Sequence, residues 1–175
     1  MKVFIPSAKI QRRIIELSTE IDNYLKQIKT ERDDLPVFVC VLTGSVFFFS
    51  ELIRNIKHDV VTDYIKVSSY KGKVSTQNVK ILKDLSIDIT DRIVFVIEDI
   101  VDTGITLSKI ISLLKERNPR DIKICTLLDK PSKRIVDVKV DFVGFIIPEE
   151  FVVGYGLDLD EKYRNKPDIY SIQEE

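Results

Sequence analysis

Short, continuous apolar runs separated by helical stripes are what most narrow the folds open to this chain. Val37-Phe38-Val39-Cys40-Val41-Leu42 follows Pro36 without a single charge. A β-branched run of this length reads as a strand buried on both faces. Arg92 to Ile97, Ile122 to Leu128 and Phe142 to Ile147 repeat the pattern, and Val60 to Ser69 and Val79 to Leu82 add two weaker strands. Between them, Val46 to Ile56 reads as a helix with Phe47, Phe48, Leu52 and Ile56 inward, and Thr106 to Arg117 as one with Leu107, Ile110, Ile111 and Leu114 on one face. This alternation predicts an α/β fold, a mainly parallel twisted sheet flanked by helices. Such sheets bind ligands beyond the carboxyl ends of their strands. Attention therefore goes to Thr43–Ser45, Glu98–Thr106 and Asp129–Lys133.

The ends of the chain fall outside the alternation. Ile10, Ile14, Leu17, Ile21, Leu25 and Ile28 form a helical stripe for which Ser7 is the expected cap. One domain over 1–175 is expected, with a core of about 36–147 and a small hood from about 1–35 and 148–175. A length of 175 residues supports one full core but not two ordinary domains. Lysine and arginine number 27 against 28 acidic residues, a balance that gives no support for binding nucleic acid or a membrane surface through bulk charge. No apolar stretch approaches the ~20 residues that cross a bilayer, and Met1–Pro6 lacks a signal pattern, so a cytoplasmic protein is expected. Cys40 and Cys125 lie in apolar runs and read as buried thiols. His58 is the only histidine and reads as a loop residue, so the chemistry must do without histidine catalysis or histidine metal ligands.

The chemistry concentrates in Val94 to Leu107, VFVIEDIVDTGITL. An apolar strand delivers Glu98 and Asp99, and Asp102-Thr103-Gly104-Ile105-Thr106 then turns into a helix. Amides at a helix N-terminus, with the positive end of its dipole, suit a phosphate. Gly104 lets the backbone approach that anion, and the hydroxyls of Thr103 and Thr106 can donate to it. Two acids beside a phosphate cradle would repel the bare anion, but they suit sugar hydroxyls or a magnesium ion. Taken alone, Asp102 is equally a plain helix cap and Glu98-Asp99 a solvated strand end. The chain has neither G-x-G-x-x-G after a strand nor G-x-x-x-x-G-K-S/T, so dinucleotide and P-loop readings have no support.

VIEDIVDTGITL closely resembles the phosphoribosyl pyrophosphate signature of type I phosphoribosyltransferases: two acids, two apolar residues, then D-T-G-x-T. The resemblance extends over nearly the whole chain. Leu42-Thr43-Gly44-Ser45 lies where that family has its pyrophosphate loop. Ser69-Tyr70 lies where the hypoxanthine–guanine subfamily has a loop that closes over the reacting centre, and Leu128-Asp129-Lys130 where it has a purine-reading lysine. Asp141 to Phe145 and Phe151 to Asp158 resemble its base-binding stretch.

The resemblance implies magnesium-dependent transfer of phosphoribosyl from phosphoribosyl pyrophosphate to a 6-oxopurine. The 5′-phosphate would rest on Asp102, Thr103, Gly104, Ile105 and Thr106, with Glu98 and Asp99 on the ribose hydroxyls, partly through Mg²⁺. Asp158 would help hold a second ion or its waters. Thr43, Gly44, Ser45 and Arg164 would address the pyrophosphate, and Asp102 would contact purine N7 and manage its proton. Lys130, donor-only, would favour a 6-oxo over a 6-amino group. Phe151 would stack on the base, with carbonyls near Val152 and Asp158 accepting a 2-amino group. Closure of Ser69–Asn78, including Tyr70, would exclude water. Thr43 departs from the basic residue that relatives often carry before the loop glycine. Backbone amides still serve there, but a side-chain charge is lost. Some members hold this peptide cis. A homodimer or homotetramer is implied.

Two other readings compete. A regulatory protein with the same fold, binding nucleotide and nucleic acid without turnover, would need a basic face or an added domain. A receiver-like signalling domain would explain an acid pair but not the D-T-G-I-T turn or the Phe151–Asp158 block.

Overall fold

The structure, a computed structural model, describes residues 1–28, 34–69 and 79–172. The elements are β1 (Lys2–Ile5), α1 (Ser7–Gln27), β2 (Val37–Leu42), α2 (Val46–Asn55), β3 (Val61–Ser69), β4 (Val79–Lys83), β5 (Ile93–Val101), α3 (Ile105–Lys115), β6 (Asp121–Asp129), β7 (Phe142–Ile146), β8 (Val152–Val153) and β9 (Ile169–Ser171). Six strands form the main sheet in the order β4-β3-β2-β5-β6-β7. All its pairings are parallel except β3 with β4. The expected α/β sheet is thus present.

The alternation within the central strands decides which helix covers which face. Phe38, Cys40, Phe95 and Ile97 point to the side of α1 and α2, and join Ile10, Ile14, Leu17, Ile21, Phe48 and Leu52 in one core. Val37, Val39, Val41, Val94 and Val96 point the other way, onto Leu107, Ile110 and Leu114 of α3. Phe38 and Phe95 are register partners across β2 and β5, and their rings stack at 4.4 Å.

The chain ends meet in a separate small sheet, β1-β9-β8. Helix α1, although terminal in sequence, buries its stripe in the main core. Its Arg13 donates from Nε to Gly144 O (2.9 Å) and from Nη2 to Val143 O (2.7 Å), occupying carbonyls of the edge strand β7.

Three expectations need correction. Ser7 is the first helical residue rather than the cap: Pro6 holds the cap position, and the Ser7 amide donates to Asp168 Oδ1 at 2.6 Å. In α2 the buried residues are Phe48, Phe49 and Leu52, whereas Phe47 is 46% exposed, because three consecutive phenylalanines spread around the helix and cannot all face the core. Strand β5 runs through Glu98 and Asp99 to Val101, so the acids lie within a strand and not at its end.

His58 lies in a loop, as expected, but not as a solvated residue. Its Nδ1 is 2.7 Å from Oδ1 of the buried Asp22, which also accepts the amides of Lys57 and His58. These contacts bind the segment after α2 to α1, away from the carboxyl ends of the strands. Replacing Asp22 with Ala leaves two backbone donors unpaired, at a cost of about 2–3 kcal/mol. Urea unfolding of Asp22→Ala should show that loss, with activity per folded molecule unchanged.

Candidate active site

Strand order reverses between β2 and β5. From β2 the chain proceeds outward to β3 and β4, then returns to place β5 on the other side of β2. The carboxyl ends of the two strands therefore flank a crevice. The turn after β2 carries Thr43–Ser45 and the end of β5 carries Glu98–Thr106, so two segments remote in sequence face each other.

Their approach is close enough that any side chain on the turn glycine would displace the facing carboxylate. A Cβ on Gly44 would fall 1.7 Å from Asp99 Oδ2. Gly156, at φ +101°, packs against Gly44 in turn, where a Cβ would meet Gly44 O at 2.0 Å. The hood, the turn after β2 and the acid pair are thus layered in contact. The Leu42–Thr43 peptide is cis. Ser45 is fully buried, and its hydroxyl donates to Val41 O and lies 3.3 Å from Cys40 Sγ. Its side chain is therefore committed to the interior of the fold.

After β5, Gly104 sits in the left-handed region at φ +80° and occupies the cap position of α3. Asp102 is therefore not the helix cap. Ser108 N–H donates to Gly104 O at 2.9 Å, so the amides of Ile105, Thr106 and Leu107 precede the first intrahelical bond. A turn of this geometry suits an anion. Thr103 O accepts the amides of Ile135 (2.9 Å) and Val136 (3.0 Å), which fix the turn from outside.

Glu98 Oε2 and Asp102 Oδ1 are shut off from solvent without a hydrogen-bond partner among the described residues. Burial pushes the Glu98 carboxyl well up, with the Asp99 charge adding to it. Asp99 is pushed up to about 6, chiefly by burial, against the opposing effects of backbone amides and Arg164. Two crowded carboxyls that resist ionisation fit a cation. Among the described residues no three acids, cysteines or histidines form a metal cluster. The chemistry of the donors, hard carboxylate oxygens beside a turn suited to an anion, fits a magnesium ion that takes its other ligands from phosphates, hydroxyls and water.

Asp158 lies near enough to the acid pair for its charge to add to the rise at Asp99. Its Oδ2 accepts the Glu161 amide (2.9 Å) and its Oδ1 pairs with Arg164 Nη2 (2.9 Å). Arg164 also donates to Gly156 O at 2.8 Å, and its charge acts on Asp99, so the structure brings this arginine to the crevice.

The third wall comes from β6. Lys130 is 4% exposed, and its amide donates to Val101 O at 3.0 Å. Burial lowers its pKa, opposed by the charge of Asp102. Phe151 is 44% exposed and Val152 is buried in β8. The segment holding Phe151 is led to this wall by Ile147 N–H donating to Asp129 O at 2.9 Å. Ser69 ends β3, and Tyr70 with the rest of the expected closing segment lies outside the described residues. A separate cavity of about 780 Å³, lined by Lys115, Asn118, Asp121 and Lys139 among others, opens at the opposite ends of the strands and contains none of these residues. Sequence reading passed over Arg134, whose guanidinium reaches both Asp102 O and Asp129. Its only sequence signal is its place in a polar turn after a strand.

Residues 7–160 match the phosphoribosyl transferase domain family, and the chain belongs to it. Among its relatives, the hypoxanthine phosphoribosyltransferase of Salmonella typhimurium is 47% identical over 98% of this chain and 95% of its own length. The hypoxanthine-guanine phosphoribosyltransferase of Bacillus subtilis is 44% identical over 96% and 91%. The crystal structure of a hypoxanthine-guanine phosphoribosyltransferase from Bacillus anthracis superposes with a TM-score of 0.90 at 42% identity, covering 99% of each chain.

The acid pair has a consequence for stability. Both carboxyls hold protons more tightly folded than unfolded, so each costs stability as pH rises, for Asp99 between 3.8 and about 6. Glu98→Gln should therefore raise the melting temperature of the metal-free protein at pH 7.5, by about 2–4 °C per kcal/mol gained. The gain should shrink at pH 5. Thermal melts at the two pH values test this.

Proposed function

We propose that the chain transfers the 5-phosphoribosyl group of phosphoribosyl pyrophosphate to hypoxanthine or guanine, an activity of purine salvage. The observation that carries this is the placement of a buried, unpartnered carboxylate oxygen on Asp102 next to Lys130, a lysine only 4% exposed, at the ends of adjacent strands. A 6-oxopurine presents a proton at N7 and an acceptor at O6 on one edge, which suits one acid and one donor.

In this reading the first-turn amides of α3 and the hydroxyls of Thr103 and Thr106 hold the 5′-phosphate. The backbone of Thr43–Ser45 and the guanidinium of Arg164 address the pyrophosphate. Glu98 and Asp99 would hold Mg²⁺ and the ribose hydroxyls, and a bound magnesium would neutralise charge on the departing pyrophosphate. Asp158, already paired with Arg164, supports that arginine or the waters of a second ion. The purine N9 lone pair forms the bond to C1′ while the C1′–O bond breaks and its electron pair leaves with pyrophosphate. The N7 proton passes to Asp102, which restores a neutral base. Phe151 offers a stacking face, and carbonyls near Val152 and Asp158 suit a 2-amino group. Ser69 and Tyr70 would begin the segment that closes over the site.

The regulatory alternative gains no support, since an even charge balance and a retained acid–lysine pair both favour turnover. A spectrophotometric assay with phosphoribosyl pyrophosphate, magnesium and each of hypoxanthine, guanine, xanthine and adenine tests the reading. Turnover of 6-oxopurines but not adenine is expected. Asp102→Asn should lower kcat by about 10²–10⁴, and Lys130→Ala should weaken the base and its discrimination from adenine. No turnover with any base, from folded protein that binds the sugar donor, would overturn it.

A further inference from the structure

We infer that Arg134 is a positioning residue that sets the separation of Asp102 and Lys130, and with it the fit of the site to a purine edge. The inference rests on the roles proposed above for those two residues.

The parallel pairing of β5 with β6 ends at Val101 and Asp129. Asp102 and Lys130 are the next residues on each strand, so the two side chains assigned to the base lie just past the last partners of the ladder. Beyond that point, regular strand pairing no longer sets how far apart they stand. Arg134 spans the gap. Its Nη1 donates to Asp102 O at 3.0 Å, and its Nη2 bonds the carboxylate of Asp129. Both side chains are largely withdrawn from water, with 14% and 11% exposed. The Lys130 amide donates to Val101 O on the other side. Val101, Asp102, Arg134, Asp129 and Lys130 therefore form a closed ring of covalent and hydrogen bonds. One planar guanidinium serves both strands, a geometry that a lysine cannot reproduce.

The phosphate turn has additional support. The amides of Ile135 and Val136 hold Thr103 O through backbone bonds that do not involve the arginine side chain. Loss of the guanidinium should thus disturb the base more than the sugar donor. A purine is rigid, with N7 and O6 at a fixed spacing, so a shift of either partner breaks the match. Misplacement by about 1 Å costs on the order of 10²-fold in rate.

The test is steady-state kinetics of the full chain, varying hypoxanthine and phosphoribosyl pyrophosphate separately. Arg134→Ala should lower kcat/KM for hypoxanthine by about 10²-fold, with KM for the sugar donor changed by less than about threefold and selectivity over adenine reduced. Arg134→Lys should recover only part of the loss. Equal losses for both substrates, or wild-type constants in a protein of lowered melting temperature, would overturn the inference. If Arg134→Ala does not fold, Asp129→Asn provides the same measurement: a smaller split of the same sign supports the role, and unaltered base kinetics refutes it. Asp102→Asn is run alongside. Full activity in that variant would remove the acid–base reading itself, whereas a strong Asp102→Asn effect with unaffected Arg134 variants would remove only this inference.

Discussion

Everything in the site depends on the parallel pairing of β2 with β5. Phe38 and Phe95 stack across it, and valines on the reverse face lock it to α3. Because the order of strands reverses at this seam, both strands end beside an open crevice instead of beneath a crossover helix. The seam is also tight. The backbone of Gly44 lies against the carboxylate of Asp99, and Gly156 lies against Gly44. A side chain at Gly44 would displace the Asp99 carboxylate, and one at Gly156 would meet the backbone of the turn after β2.

That closeness explains an arrangement that is unfavourable for the empty protein. Glu98 and Asp99 follow one another, half-buried, and Glu98 has an oxygen that no described residue satisfies. Asp102 carries another such oxygen. A fold under selection for stability alone would not keep the Glu98–Asp99 pair crowded and one Asp102 oxygen without a partner. They make physical sense as groups whose partners arrive with the ligand: a cation and hydroxyls for the first two, a ring proton for the third. The expense is carried elsewhere, by two apolar cores on either face of the sheet and by the fully paired carboxylate of Asp22 far from the crevice.

Much of this was legible from the chain itself. Period and length gave the strands and helices, and the acids, hydroxyls and glycine between Glu98 and Thr106 stood out because their chemistry suits phosphate, sugar and metal together. The misreadings share a physical cause. Ser7 is the right residue type for a cap, but Pro6 takes that position, and the amide of Ser7, now the first helical residue, goes to a distant carboxylate on Asp168. Phe47 continues an apolar run, but in a helix a run without gaps wraps all faces, and only packing decides that Phe48 and Phe49 turn inward. Arg134 was passed over because a single arginine in a polar turn has no periodicity to reveal it.

The sequence by itself determined the α/β class, the central strands and the segment that carries the chemistry, because backbone periodicity and the needs of a phosphate turn are local properties. Tertiary structure alone decided which remote segments meet. It set Gly44 on Asp99, brought Arg164 from the end of the chain to the same crevice, and left Asp102 and Lys130 side by side at the end of a ladder with Arg134 between them. These are relations between strands. They follow from strand order and register, which only the packing of the whole core fixes.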